Sequence, residues 1–98
     1  MEWKDITTYS KNDEERVPSV WNISIGGMRV CVHRHIGYAK DDWLLSTYFP
    51  GFFDRKLLQS KDIEKAKYEA LMLVRDRANE ISGSVTVALM SEDKNEIR

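Results

Sequence analysis

The sequence predicts an α+β domain: an antiparallel sheet of three to four strands with one long helix packed on one face, in the order strand, strand, strand, (strand), helix. Three observations carry this expectation. A Gly26-Gly27 pair sits between two segments of alternating polarity, a third alternating segment runs from Trp43 to Phe49, and an apolar stripe of helical period runs from Ile63 to Ile81. Ninety-eight residues, 42% hydrophobic and 32% charged, make one ordinary globular domain.

The first two strands form a hairpin. Glycines at both turn centres accept the positive φ that primed two-residue turns require. Pairing outward from the turn places Ile25 opposite Met28, Ile23 opposite Val30 and Trp21 opposite Val32 on one face. The other face receives Ser24 with Arg29, Asn22 with Cys31, and Val20 with His33. A slip of one residue would scramble this separation, so turn and pattern specify the same register. Residues 36–42 read as a loop. In the third strand Trp43, Leu45, Thr47 and Phe49 form the more apolar face, leaving Leu44, Ser46 and Tyr48 opposite. Pro50-Gly51 ends it, and Phe53–Gln59 alternates poorly enough to suit an edge strand.

Ser60 is the expected N-cap of the helix, with Asp62 and Glu64 complementing the dipole of the first turn. Ile63, Ala66, Ala70, Leu73, Val74 and Ile81 share the stripe that should face the sheet, and Gly83 marks the expected stop. The expected organisation is therefore an N-terminal arm over 1–18, a sheet-plus-helix domain over 19–83, and a C-terminal segment over 84–98 that is a strand or disordered. In the arm, Trp3, Ile6 and Tyr9 recur every three residues, which suits one or two helical turns or an arm packed on the domain.

Composition narrows the function classes. A net charge of −1 gives little overall attraction for nucleic acid or anionic membrane. A single cysteine, no apolar run of membrane-spanning length and no signal-like N-terminus point to a reduced, cytoplasmic setting. Cys31, His33 and His35 alternate on the face away from the helix and are a weak candidate for a metal site; a fourth ligand would have to come from Asp41, Asp42 or Asp54. Arg29, Arg34, Lys40, Arg55 and Lys56, with His33, His35, Tyr38 and Tyr48 for stacking, are the residues a nucleic-acid surface would use. Exposed Tyr68, Met72, Phe52 and Phe53 favour a protein interface. No phosphate loop or catalytic triad spacing is present, so no enzyme and no cofactor are expected.

The order of elements, with Ser60-Lys61-Asp62-Ile63-Glu64-Lys65-Ala66-Lys67 opening the helix, resembles small sheet-plus-helix modules such as plant-type and integrase arm-type DNA-binding domains. The chain lacks their strongly basic sheet. The ensemble of Trp3-Lys4, Thr7-Thr8-Tyr9-Ser10, Arg16-Val17-Pro18, Trp21, Arg34-His35, Asp42-Trp43 and Ala66-Lys67 looks like the short accessory proteins of bacteriophages and prophages. That resemblance implies a non-catalytic protein in the cytoplasm of a bacterial host that binds or occludes a host complex, with inhibition of host defence as one such role. A protein is the expected partner, nucleic acid is the alternative, no membrane is involved, and the state is monomer or homodimer. The residues assigned to partner binding are Arg29, His33, His35, Tyr38, Tyr48 and Arg55.

Overall fold

A computed structural model describes residues 2–7 and 19–96. Five strands and one helix follow one another as β1 (Lys4–Asp5), β2 (Val20–Ile25), β3 (Met28–His33), β4 (Leu44–Tyr48), β5 (Lys56–Leu57) and α1 (Ile63–Glu96). The strands form one antiparallel sheet in sequence order. The β2–β3 hairpin has the register the turn specifies, from Ile25 against Met28 to Val20 against His33. Gly26 and Gly27 take φ of +53° and +81°, the positive values a primed turn demands.

The sheet presents two faces. On the inner one Ile23, Val30, Val32, Leu45 and Leu58 meet Ala66, Ala70 and Val74 of α1 in one buried cluster that also holds Trp43. The alanines on α1 remove side-chain bulk where the helix lies over the branched residues of β3 and the Trp43 ring. Trp43 also anchors the helix entry, donating from Nε1 to the Lys61 carbonyl at 2.9 Å. Lys67 is buried in this face, with Nζ 3.8 Å from the centre of the Trp21 ring, 5.8 Å from that of Trp3 and 3.3 Å from Glu64. Its stem packs as an aliphatic chain while the ammonium keeps two ring faces and a carboxylate.

Several expectations are corrected. The N-terminal arm is not helical where described: Lys4 and Asp5 pair with Asn22 and Trp21, adding a fifth strand, and Thr7 Oγ1 accepts the backbone N–H groups of Ser19 and Val20 at 2.8 and 2.9 Å. Tyr9 and the Pro18 boundary lie outside the described residues. The expected edge strand over Phe53–Gln59 shortens to Lys56–Leu57, because Arg55 takes a φ of +53° and gives its N–H to Ser46 Oγ at 3.1 Å. Phe52 and Phe53 are partly buried against the core rather than free. Phe49, assigned to the inner face, leaves the strand with a φ of +36° and stands 87% exposed. Conversely, Leu44 and Ser46 on the outer face are buried.

The helix differs most from expectation. Its N-cap is Asp62 rather than Ser60: Asp62 Oδ2 accepts the Lys65 N–H at 3.0 Å, while Glu69 takes the Ser60 N–H at 2.9 Å. Its end is not Gly83. The segment Ser84–Met90, expected as a strand or disordered, continues the same helix to Glu96. Ser84 and Thr86 hydroxyls return to the carbonyls of Glu80 and Ser82 at 3.1 and 2.9 Å, so the polar groups that would compete with the helix are absorbed by it. A 34-residue helix is about 51 Å long at 1.5 Å per residue, far longer than the sheet it covers. From Arg75 to Glu92 every residue is exposed, including Ala78 and Ile81, and the molecule measures 70 × 23 × 22 Å. Among the described residues no helix is long and apolar enough to cross a membrane.

Candidate functional site

The outer face of the sheet, opposite α1, holds the candidate residues, and the register divides them between its two ends. Arg29 lies directly across from Tyr48 at the hairpin end, whereas His33 pairs with Leu44 at the other. Arg55 sits between, tied to Ser46. His35 and Tyr38 belong to the turn beyond β3, where their rings meet edge to face at 5.7 Å. The six residues assigned to partner binding therefore do not make one continuous patch.

The middle of this face is a closed polar network. His33 Nδ1 lies 3.0 Å from the Arg34 carbonyl, and Nε2 lies 2.8 Å from Ser46 Oγ. A carbonyl can only accept, so Nδ1 donates; in the neutral ring Nε2 then accepts the Ser46 hydroxyl proton. Ser46 Oγ also accepts the Arg55 N–H. This arrangement places a serine hydroxyl on an imidazole, as a nucleophile pair would be. The serine is buried, and its oxygen also holds the Arg55 N–H, so the pair ties backbone to strand. Serine and histidine thus latch the turn into β5 onto β4 and β3.

Cys31, across from Ser46, is buried, and burial outweighs the nearby Arg29 charge to push its thiol pKa up to about 11. A neutral thiol is a poor metal ligand at physiological pH. His33 already commits both nitrogens, and His35 Nδ1 accepts the Gly37 N–H at 3.0 Å. Among the described residues no three His, Cys, Asp or Glu side chains converge as a metal would need. The alternation of Cys31, His33 and His35 along the sequence therefore does not become a cluster in space.

What the outer face does expose is at its ends. Tyr48, across from Arg29, is exposed at the hairpin end, and Phe49 stands exposed just past the end of the strand. At the far end Ile36 is fully exposed in the 34–42 loop, next to Tyr38 and Lys40. That loop is braced from within: the Arg34 guanidinium stacks 4.0 Å over the Trp43 ring and donates to the Lys40 carbonyl. Asp42 is held below the usual carboxylate range by its hydrogen bond from Lys61. Phe49 is the residue the sequence reading missed. Its place in an alternating strand marked it as core, and the Pro50-Gly51 that follows was the available signal that the strand ends before it.

On the other side of the molecule a groove of about 710 Å³ runs between the Gln59-Ser60 backbone and the Tyr68–Met72 flank of α1. Glu69 closes it by accepting the N–H groups of Gln59 and Ser60, at 2.9 Å each by its nearer oxygens. The groove is open to solvent, and its Glu69 carboxylate is already engaged by the chain itself. Comparisons with protein-family models, with curated proteins and with solved structures find no match.

Proposed function

We propose that this chain is a non-catalytic binding protein, of the bacteriophage accessory type its sequence resembles, that engages a protein partner through the hairpin-end patch of Arg29, Tyr48 and Phe49. One observation carries the reading. Phe49 is held in solvent at 87% exposure on a backbone of φ +36°, a conformation that a non-glycine residue adopts at a cost of about 1–3 kcal/mol. The turn that Phe49 opens brings Thr47 and Phe53 into hydrogen bonding and seats Phe52 and Phe53 against the core, leaving Phe49 outside as an aromatic side chain that, with Tyr48 and an arginine, has the composition of an interface hot spot. The burial of Ser46 beneath His33 and the Arg55 backbone supports a binding rather than a catalytic role, since no substrate reaches its oxygen.

Occlusion of a host complex, including a defence complex, is the form of action that the phage resemblance suggests. The test is affinity capture from a bacterial host lysate with the wild-type chain and with Tyr48→Ala/Phe49→Ala, using Tyr68→Ala on the helix as a control. The proposal expects one partner that is lost with the hairpin-end variant and kept with the control; equal recovery by all three sinks it. Arg29 opposite Tyr48 favours one second reading, stacking of a single-stranded nucleic acid. Salt-dependent retardation of an oligonucleotide, lost with Arg29→Ala, would transfer the patch to that function.

A further inference from the structure

The exposed half of α1 has no role in the fold just described, and its sequence makes a poor free helix. Ser82, Gly83, Ser84, Val85, Thr86 and Val87 are together roughly 3–4 kcal/mol less favourable in a helix than alanines would be. Tertiary contact, rather than propensity, stabilises most protein helices. Yet from Ile81 to Glu92 every residue is exposed, and among the described residues no strand is seated on this segment. We infer that the half of α1 beyond the sheet is a self-association surface, on which a second copy of this chain packs the same helix segment in antiparallel orientation.

Three features select this occupant. The first is spacing. Val74, Ala78, Ile81, Val85 and Ala88 follow one another at four, three, four and three residues, the heptad interval that a partner helix, and not a sheet or a loop, is shaped to fill. This stripe is a direct continuation of the Ala66–Ala70–Val74 line that packs on the sheet, so the core-facing side of the helix runs out past the end of its cover. The second is self-complementarity, which a two-fold interface requires. With the two helices antiparallel and Gly83 level with Gly83, Ile81 of one copy meets Val85 of the other, and Ala78 meets Ala88. Medium residues pair with medium and small with small, and each contact occurs twice.

The third is charge. The foot of the projecting segment carries Arg75, Asp76 and Arg77, a balance of +1, while the sequence 92–96 carries Glu92, Asp93 and Glu96 against Lys94, a balance of −2. Antiparallel packing in this register sets Glu92 of each helix one residue beyond the level of the other's Arg75, whereas parallel packing would set Glu92 against Glu92. Arg75 and Arg77 are exposed and, among the described residues, pair locally with Asp76 and Glu80. The contact spans about three turns of each helix, shorter than standard stable interfaces, so the pairing depends on concentration. This surface is separate from the hairpin-end patch, and either can fail without the other.

Sedimentation equilibrium of the full chain from micromolar to millimolar concentration tests the inference. It expects a mass rising from the 11.4 kDa of one chain toward twice that value. Ile81→Lys/Val85→Lys, at exposed positions, should raise the dissociation constant at least tenfold while near-ultraviolet circular dichroism of the tryptophans stays unchanged. Arg75→Glu/Arg77→Glu should weaken the dimer likewise, and adding Glu92→Arg/Asp93→Arg should restore it. A chain monomeric throughout the range, or a dimer indifferent to Ile81→Lys/Val85→Lys, overturns the inference. A dimer that the second charge reversal does not restore overturns the antiparallel arrangement.

Discussion

Replacing Gly83 by alanine separates a helix that continues from a helix that stops, because the two give effects of opposite sign. Glycine near the end of an apolar stripe ordinarily marks a C-cap, where the backbone enters the left-handed region and a Cβ is penalised by about 1–2 kcal/mol. In the structure Gly83 lies inside Ile63–Glu96, is not among the positive-φ glycines, and an added Cβ would meet nothing within 4 Å. Alanine there removes the backbone freedom of glycine without a clash, which is worth about 0.8–1.0 kcal/mol in a helix interior.

The projecting half of the helix opens without the sheet, so this gain is read locally rather than in the midpoint of global unfolding. Hydrogen exchange of the amides over 84–92, followed by mass spectrometry at concentrations low enough to keep the chain monomeric, is the suitable assay. A stabilisation of that size slows exchange by about four- to fivefold, at 1.4 kcal/mol per factor of ten. The ellipticity at 222 nm should rise with it. Exchange that is unchanged or faster, with ellipticity falling, would place Gly83 at a helix end and refute the continuous helix together with the self-association argument built on it.

Gly27→Ala, at a φ of +81° in the hairpin turn, should destabilise the domain by about 1–2 kcal/mol in urea unfolding, and no loss would mean the turn is not primed. Cys31, with its pKa raised to about 11, should resist iodoacetamide at pH 8, where only about one molecule in a thousand is thiolate, and react fast only in denaturant. Fast alkylation of the folded chain would contradict the burial of the outer sheet face. Burial raises the Glu69 pKa, but the N–H groups of Gln59 and Ser60 outweigh it and leave the carboxyl below its ordinary value. Its stabilisation is therefore complete above about pH 4.3, the unfolded value, and is lost as pH falls through the folded one. Glu69→Gln should flatten that acid limb in pH-dependent unfolding; an identical limb would remove Glu69 as its source.

Where turn chemistry and side-chain period agreed, the fold could be read from the sequence. Gly26-Gly27 and the alternation around it specify the whole β2–β3 register, and Ala66, Ala70 and Val74 specify the helix face that covers it. Where two local signals competed, context decided. Lys4-Asp5 has no strand pattern of its own and becomes β1 only because β2 offers an unpaired edge. Leu44 and Ser46 alternate as outer-face residues should, yet both are buried, Ser46 within its hydrogen bonds to His33 and Arg55. The same network explains why the candidate site was only partly legible. Sequence spacing placed Cys31, His33 and His35 on one strand face; it carried no information on which hydrogen bonds each would already have made.

The helix gives the clearest case of one pattern serving two ends. Up to Val74 the apolar stripe buries against the sheet, and removing those contacts would expose the core; past Arg75 the same stripe is exposed among the described residues. Gly83 and the β-branched Val85, Thr86 and Val87 lower the intrinsic helicity of the second half, so that half is held only by its continuity with the first and by whatever packs on it. A segment of stronger helix formers would stay ordered alone and gain little from a partner's support. This one gains helix and contact together, so association and ordering are thermodynamically coupled. Gly83→Ala should consequently tighten self-association as well as slow exchange, because it lowers the ordering cost that binding must offset. A variant that raised helicity in the monomer yet left the dimer constant unchanged would show that the projecting half is not the surface on which two copies meet.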